Sequence, residues 1–256
     1  MKVYNTDHQE NSKLVASKNL KYALTYFELQ FSGISGRALL AYGGADWTPL
    51  YPDWGVDNTN TPFETLPILK IIENGEGGAG RELVLGENFA IDQFLAKQFG
   101  LHGENSWEEA LINSFYACSS YFYSQDIINT LFWGSANKSE EEKAIVLDTF
   151  LTMALPTWSN IQEAHLKNNN QNGHYVGNRT TLADIRTTTM LDALTKIIGA
   201  DRVKSVINET NTPGIHKVVA NVQNNPSYAA WINSDEYKKL DFNTTAFVKE
   251  HHPELF

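Results

Sequence analysis

The 256-residue chain has one cysteine, Cys118, which excludes an internal disulfide and any Cys-x-x-Cys redox or zinc pair. That usage fits a reducing compartment. No apolar run is long enough to cross a bilayer, and residues 1–20 lack the apolar stretch of a signal peptide, so a cytoplasmic protein without a membrane partner is expected. Positive charge is also scarce. Against 30 Asp and Glu there are 20 Lys and Arg, a net charge of −10, and no basic cluster that would track a phosphate backbone, so nucleic acid is not an expected partner. Metal spacing such as His-Glu-x-x-His is missing, and His251-His252 has no other close ligand candidate, so no metal is expected. The run Gly77-Gly78-Ala79-Gly80 lacks the Gly-Lys-Ser/Thr of a phosphate loop and reads as a turn. Cys118, amid aromatic residues in a helical pattern, reads as a small buried side chain.

What is present is core material: 42% of residues are hydrophobic and 12% aromatic, enough for a globular protein of two domains. Tyr22 to Phe27 is aromatic and β-branched and reads as a strand, followed by a Gly/Ser loop at Ser32 to Gly36 and a helix from about Arg37. The next extended stretch is less distinct. Leu66 to Ile72 and Glu82 to Leu85 read as a hairpin around the glycine-rich residues 74–80, and Ile91, Phe94, Leu95 and Phe99 follow helical spacing up to Gly100. Beyond residue 105 only helical patterns appear, over 107–132, 139–167, 181–198 and 213–222. Thr181 and Asp184 have the spacing of a capping box opening a buried helix. The predicted organisation is an α/β domain over 22–100, an all-helical domain over 106–240, and terminal extensions at 1–21 and 241–256, the latter a tail.

Five short pieces stand in a fixed order: Leu24-Thr25-Tyr26-Phe27; Gly36-Arg37-Ala38; Trp54 with Pro62-Phe63 and Leu66-Pro67; Glu87-Asn88-Phe89-Ala90-Ile91; and Gly177 to Asp184 (GNRTTLAD). Together, with Trp54 standing 13 residues before Pro67, they resemble the cytosolic glutathione transferases, nearest to tyrosine-type, sigma-class and fungal sigma-like members. On its strand alone Tyr26 reads as a core aromatic with a wet tip; the other pieces reverse that reading. The resemblance implies a thioredoxin-like α/β domain plus an all-α helical bundle, glutathione as co-substrate with no further cofactor, and a homodimer serving detoxification.

The resemblance also assigns roles. A free thiol has a pKa of about 8.5, and lowering it by two units takes about 2.7 kcal/mol, within reach of an aimed donor. Tyr26 matches the tyrosine that supplies this donor, and Arg37 the arginine that adds positive field. Leu66-Pro67 matches a cis-proline turn whose preceding residue offers its backbone to the cysteinyl unit. Glu87 and Asn88, at a helix start, match the γ-glutamyl site, with Asn88 where most members have serine. Trp54 would offer its indole N–H to the glycyl carboxylate; Asn58 stands where sigma-like members often carry lysine, and Thr65 lies beside the peptide. Ser119, Ser120 and Tyr121 occupy the neighbourhood of the acidic residues that sigma members extend to a partner subunit. Tyr116, Tyr123 and Phe27 are candidate lining for a hydrophobic electrophile between the domains, with core packing the competing reading. The expected activity is conjugation of glutathione to electrophilic small molecules; a glutathione-dependent isomerase or prostaglandin-type synthase, or a non-catalytic binding relative, are the alternatives.

Overall fold

The computed structural model of the protein describes residues 3–4, 6–17, 20–73 and 81–255. The chain divides into two compact units, one ending at Phe99 and the other beginning at Gly100. Among the described residues no helix is long and apolar enough to cross a membrane.

The first unit is built on a four-stranded mixed sheet of order β2-β1-β3-β4, formed by β1 (Leu20–Thr25), β2 (Trp47–Leu50), β3 (Ile68–Glu73) and β4 (Glu82–Gly86). β1 runs parallel to β2 and antiparallel to β3, and β3 is antiparallel to β4. The indistinct extended stretch is β2, an edge strand that tolerates Pro49 because one of its sides has no ladder to complete. β3 starts two residues later than its sequence pattern suggests, since Pro67 has no N–H for the ladder. The glycine-rich tip expected at 74–80 lies outside the described residues.

Two helices cover one face. In α2 (Ile34–Tyr42) every residue from Ile34 to Ala41 is buried. Gly36 lets it lie against β1 and α4 (Asn88–Gln98): a Cβ there would meet Leu24 Cδ2 at 3.3 Å and Ile91 Cγ2 at 3.6 Å. Ser35 Oγ donates to the buried carboxylate of Asp92 at 2.6 Å, tying the two helices at their polar seam. Ahead of the sheet α1 (His8–Val15) is capped by the Asp7 side chain, which accepts Glu10 N–H at 3.1 Å, and buries Leu14. Sequence patterning showed this segment only as a polar lead-in, because its two apolar residues, Leu14 and Val15, are adjacent at its end and leave no stripe.

The second unit is helical as expected. Its first long helix, α5 (Ser106–Tyr121), starts on Asn105, whose side chain accepts two first-turn N–H groups, and continues in π-type geometry through Phe122–Phe132. α6 (Glu140–Thr149), a π-type segment Phe150–Ala154 and α7 (Leu155–Asn168) follow, then α8 (Leu182–Ile198), α9 (Ala200–Val206), α10 (Pro213–Gln223), α11 (Pro226–Ile232) and α12 (Asp235–His251).

Two sequence readings are corrected here. Residues 241–251 are helix and not tail, because Thr244 and Val248 extend the buried stripe of Leu240 at four-residue intervals. Cys118 is exposed, not buried: the inward positions of α5 are Ile112, Tyr116 and Ser119, and Cys118 falls off that stripe, where its Sγ accepts from Gln162 Nε2 at 3.4 Å.

α8 is the core of this unit, buried at nearly every position. Its start is organised by Asp184, whose carboxylate accepts Thr181 N–H (2.6 Å), Thr181 Oγ–H (2.9 Å) and Tyr175 N–H (2.9 Å). Burial pushes this carboxyl up to about 7, against the pull of those donors. Removing the side chain leaves two buried N–H groups without acceptors. Asp184→Ala is therefore expected to lose about 2–4 kcal/mol, read as a fall of several degrees in the thermal midpoint; an unchanged melt would show that the helix start does not need the carboxylate.

Candidate functional site

The sheet register decides which residues meet. Leu50, Thr25, Ile68 and Gly86 form one row across all four strands. One step beyond that row, Tyr51, Tyr26, Pro67 and Glu87 come abreast, at the carboxyl ends of β1, β2 and β4 and the entry to β3. Residues 26, 67 and 87, far apart in sequence, are thus neighbours by pairing alone. The ends of strands, where side chains project past the ladder, are the usual seat of ligands in open α/β sheets.

Tyr26 sits just past β1, its N–H bonded to Leu50 O at 3.1 Å. Its phenol oxygen accepts Ser32 N–H at 3.3 Å, so the phenol's own proton is left to donate elsewhere. Burial raises this phenol above its ordinary value near 10, opposed by the Ser32 bond and the nearby Arg37 charge. The ring is packed tightly: a Cβ on Gly33 would stand 2.5 Å from Tyr26 Cδ1 and 2.7 Å from Cγ. Phe27 meets the Tyr26 ring edge-on at 5.4 Å and the Trp54 ring at 5.9 Å, which links the end of β1 to α3 (Trp54–Asp57).

Arg37 is fully buried. One guanidinium nitrogen donates to Leu29 O and the other to Phe27 O at 2.9 Å, and its carbon lies 5.6 Å from the Tyr26 ring centre. The sequence reading gave it a field; the geometry adds a mechanical role, clamping the loop that carries Tyr26 to Ser32. A planar fork with several donors suits two carbonyls, where a lysine would present a single point charge.

Pro67 is buried and joined to Leu66 by a cis peptide bond. Because the ladder begins at Ile68, the backbone of Leu66 is not committed to it. Leu66 and Trp54 line one cavity of about 330 Å³, together with Tyr51, Asn60, Thr61 and Lys70. Asn58 is placed less centrally. It opens the turn Asn58–Asn60 that follows α3, and its carbonyl accepts Thr61 Oγ–H at 3.1 Å.

At the other end of the row Glu87 is exposed, with φ +72°, a conformation side chains rarely adopt. Its carboxylate accepts Thr65 Oγ–H at 3.1 Å and its carbonyl accepts Ile91 N–H at 3.0 Å. α4 therefore begins at Asn88, and among the described residues no side chain caps it. The first N–H groups of a helix have no intrahelical acceptor, which makes this start receptive to a carboxylate.

Several contributors escaped the sequence reading. Ser32 and Gly33 were seen only as loop; Lys70 and Thr61 carried no motif; the twist at Glu87 has no residue signature. In the helical unit the candidate lining residues Tyr116 and Tyr123 are buried, and the Arg186 guanidinium lies 4.7 Å from the Tyr123 ring centre. Ser119 is buried against Thr187 Oγ1 at 3.2 Å, while Tyr121 is exposed.

Comparison with known proteins adds independent information. Residues 125–235 match the family described as "Glutathione S-transferase, C-terminal domain". Probable glutathione S-transferase 7 of Caenorhabditis elegans is 35% identical over 96 residues, 36% of this chain and 42% of that protein. Probable glutathione S-transferase 6 of the same organism is 26% identical over 215 residues, 81% of this chain and 98% of its own length. Among solved structures, that of prostaglandin synthase D of Nilaparvata lugens superposes with a TM-score of 0.64 at 24% identity, over 84% of this chain and 98% of that one, a likeness of fold.

The contact between Gly33 and Tyr26 gives a direct test. Gly33→Ala forces the ring or the loop to shift and is expected to destabilise by about 1–3 kcal/mol through overpacking. Amide exchange at Ser32 should accelerate as the phenol oxygen moves off; unchanged exchange would mean that the ring keeps its place without the glycine.

Proposed function

We infer that this chain is a glutathione transferase, a tyrosine-type one that conjugates the glutathione thiolate to electrophilic small molecules, with no cofactor beyond that co-substrate. The observation that carries the reading is Tyr26: its oxygen takes a backbone N–H from Ser32 and burial keeps it protonated, so in the neutral range it can serve a bound sulfur as a hydrogen-bond donor and not as a base.

In this reading glutathione lies along the row Glu87, Pro67, Tyr26. Glu87 and Asn88 at the head of α4 receive the γ-glutamyl unit, the Leu66 backbone pairs with the cysteinyl unit as an added strand would, and Trp54 addresses the glycyl carboxylate. Thr65 and Asn58 are peripheral, Thr65 by fixing the Glu87 carboxylate. Tyr26 then donates to the sulfur. The thiol proton leaves to solvent and the sulfur lone pair forms the bond to the electrophilic carbon. The electrons released pass to a leaving group or an adjoining carbonyl. Arg37 holds the Tyr26 loop and biases the site toward anions. The polar placement of these groups ahead of reaction is the source of rate.

The sigma-like character rests on the Trp54 to Pro67 spacing and on Arg37. A homodimer is part of the proposal, supported by large apolar side chains left exposed on each unit, among them Phe63 and Phe89 on the first and Trp107, Ile145 and Met153 on the second. Ser119, in the neighbourhood from which sigma members extend acidic residues to a partner, is buried and bonded within its own unit, so the proposal assigns it no contact with a partner's glutathione. A cytoplasmic location accords with the single free cysteine.

Retention on immobilised glutathione, followed by turnover of an aryl halide, tests the reading. Tyr26→Phe should still be retained but lose at least about tenfold in kcat, the equivalent of one donor; undiminished turnover would move the catalytic role elsewhere. Turnover of isomerisable ketones or endoperoxides, with none of aryl halides, would point to an isomerase or synthase instead.

The rate-against-pH profile should rise with a bound-thiol pKa well below 8.5 and show no second break before about pH 10, because the phenol titrates above its usual range. A break near neutrality assigned to tyrosine would overturn the donor role. Light scattering should give twice the chain mass; a monomer would remove the dimer from the proposal.

A further inference from the structure

We propose that Tyr4, in the segment ahead of the sheet, is a positioning residue for the γ-glutamyl end of the site, an inference that rests on the glutathione reading above. β4 is an edge strand, and its last residue, Gly86, immediately precedes the strained Glu87 and the head of α4. The Gly86 N–H is taken by the Tyr4 hydroxyl at 3.1 Å. A Cβ on Gly86 would stand 3.4 Å from that hydroxyl, from Phe63 Cδ2 and from Ile68 Cδ1, so these three side chains close around the glycine. The Tyr4 ring also meets Phe63 edge-on, with centres 5.5 Å apart at 83°. One side chain thus contacts both segments that lead to the site: the loop reaching Thr65-Leu66-Pro67, and the strand end reaching Glu87-Asn88.

Tyr4 is itself held. The following helix α1 starts on the Asp7 cap and buries Leu14, and Glu10 accepts from Arg81 at 2.7 Å, while Arg81 also pairs with Glu73 at 2.6 Å. The strap is therefore fastened to the β3–β4 hairpin at one end and to Gly86 at the other. A residue with φ +72° stays in place only when its neighbours over-determine it, and the hydrogen bond on the Gly86 N–H, in the Leu85–Gly86 peptide just ahead of the turn, removes one route by which the turn could relax. The contacts of Tyr4 are with Gly86 and Phe63, on the peptide-binding side of the row, so its influence falls on peptide binding and not on the thiolate.

The test uses the full chain with Tyr4→Phe, which keeps the ring on Phe63 and removes only the hydroxyl, and Tyr4→Ala, which removes both. In Tyr4→Phe the KM for glutathione should rise about fivefold, the usual worth of one hydrogen bond, with kcat at saturating glutathione and the bound-thiol pKa unchanged. Tyr4→Ala should raise KM further. Without any ligand, amide exchange over residues 86–88 should quicken in both variants. An active wild type with Tyr4→Phe indistinguishable from it in KM and exchange would overturn this inference alone. So would a fall of kcat in step with KM and thermal midpoint, the sign of general loosening. A wild type that neither binds nor turns over glutathione would overturn the functional reading, and the positioning role with it.

Discussion

The hydrogen bond from Ser32 N–H to the Tyr26 phenol is the contact on which the rest of the site depends. It fixes the ring's polar end, and by occupying the oxygen as acceptor it aims the phenol's proton away from its own loop. That bond exists because the loop from Phe27 to Gly33 turns back on the ring. The turn is held by Arg37, which draws in the carbonyls of Phe27 and Leu29, and by Gly33, whose missing side chain admits the ring. A fully buried guanidinium would be expensive if unsatisfied; here carbonyl oxygens replace part of its hydration, so the burial and the clamp are one arrangement.

The second constraint is register. Pairing Thr25 with Ile68 and Ile68 with Gly86 brings Tyr26, Pro67 and Glu87 into one line, and a slip of one residue in either ladder would turn each to the opposite face. The buried side chains Leu24 and Leu69, packed beneath α2 and α4, make such a slip costly. Core packing and site geometry are thus the same choice of alignment, which explains why a few short motifs suffice to mark the site.

Much of this was legible in the sequence for a physical reason: β-branched and aromatic runs, capped helices and a proline at a strand entry all write local rules into residue order. The strands around Tyr22 and Ile68, the helices opening near Asn88 and Leu182, and the cis bond at Leu66-Pro67 were expected and are present. What was not legible depends on long-range contact. Arg37 was readable as a charge but not as a clamp, because its acceptors are backbone carbonyls with no side-chain signature. Tyr4 stood in an apparently polar lead-in, and only the fold brings it to Gly86, 82 residues away. Cys118 misled because its aromatic neighbours suggested burial, whereas helical phase, not neighbourhood, decides which side of α5 it faces. The helix past Asp241 was hidden by its polar composition, with only Thr244 and Val248 carrying the buried stripe onward.

The phenol and a thiol placed beside it would share one proton, and the competition between them settles where charge resides. Burial acts most strongly on Tyr26, and the Ser32 bond and Arg37 charge only partly offset it, so the phenol's affinity for its proton stays above the ordinary value near 10. A free thiol releases its proton at about 8.5. That gap would keep the proton on oxygen and the charge on sulfur, the more nucleophilic atom. Only a pull strong enough to bring the phenol below the thiol would make the phenolate the favoured anion, and burial acts in the opposite direction. The same desolvation that makes the ring a poor acid therefore makes it a dependable donor. Arg37, held against the Phe27 and Leu29 carbonyls at 5.6 Å from the ring centre, adds positive potential without taking the proton away.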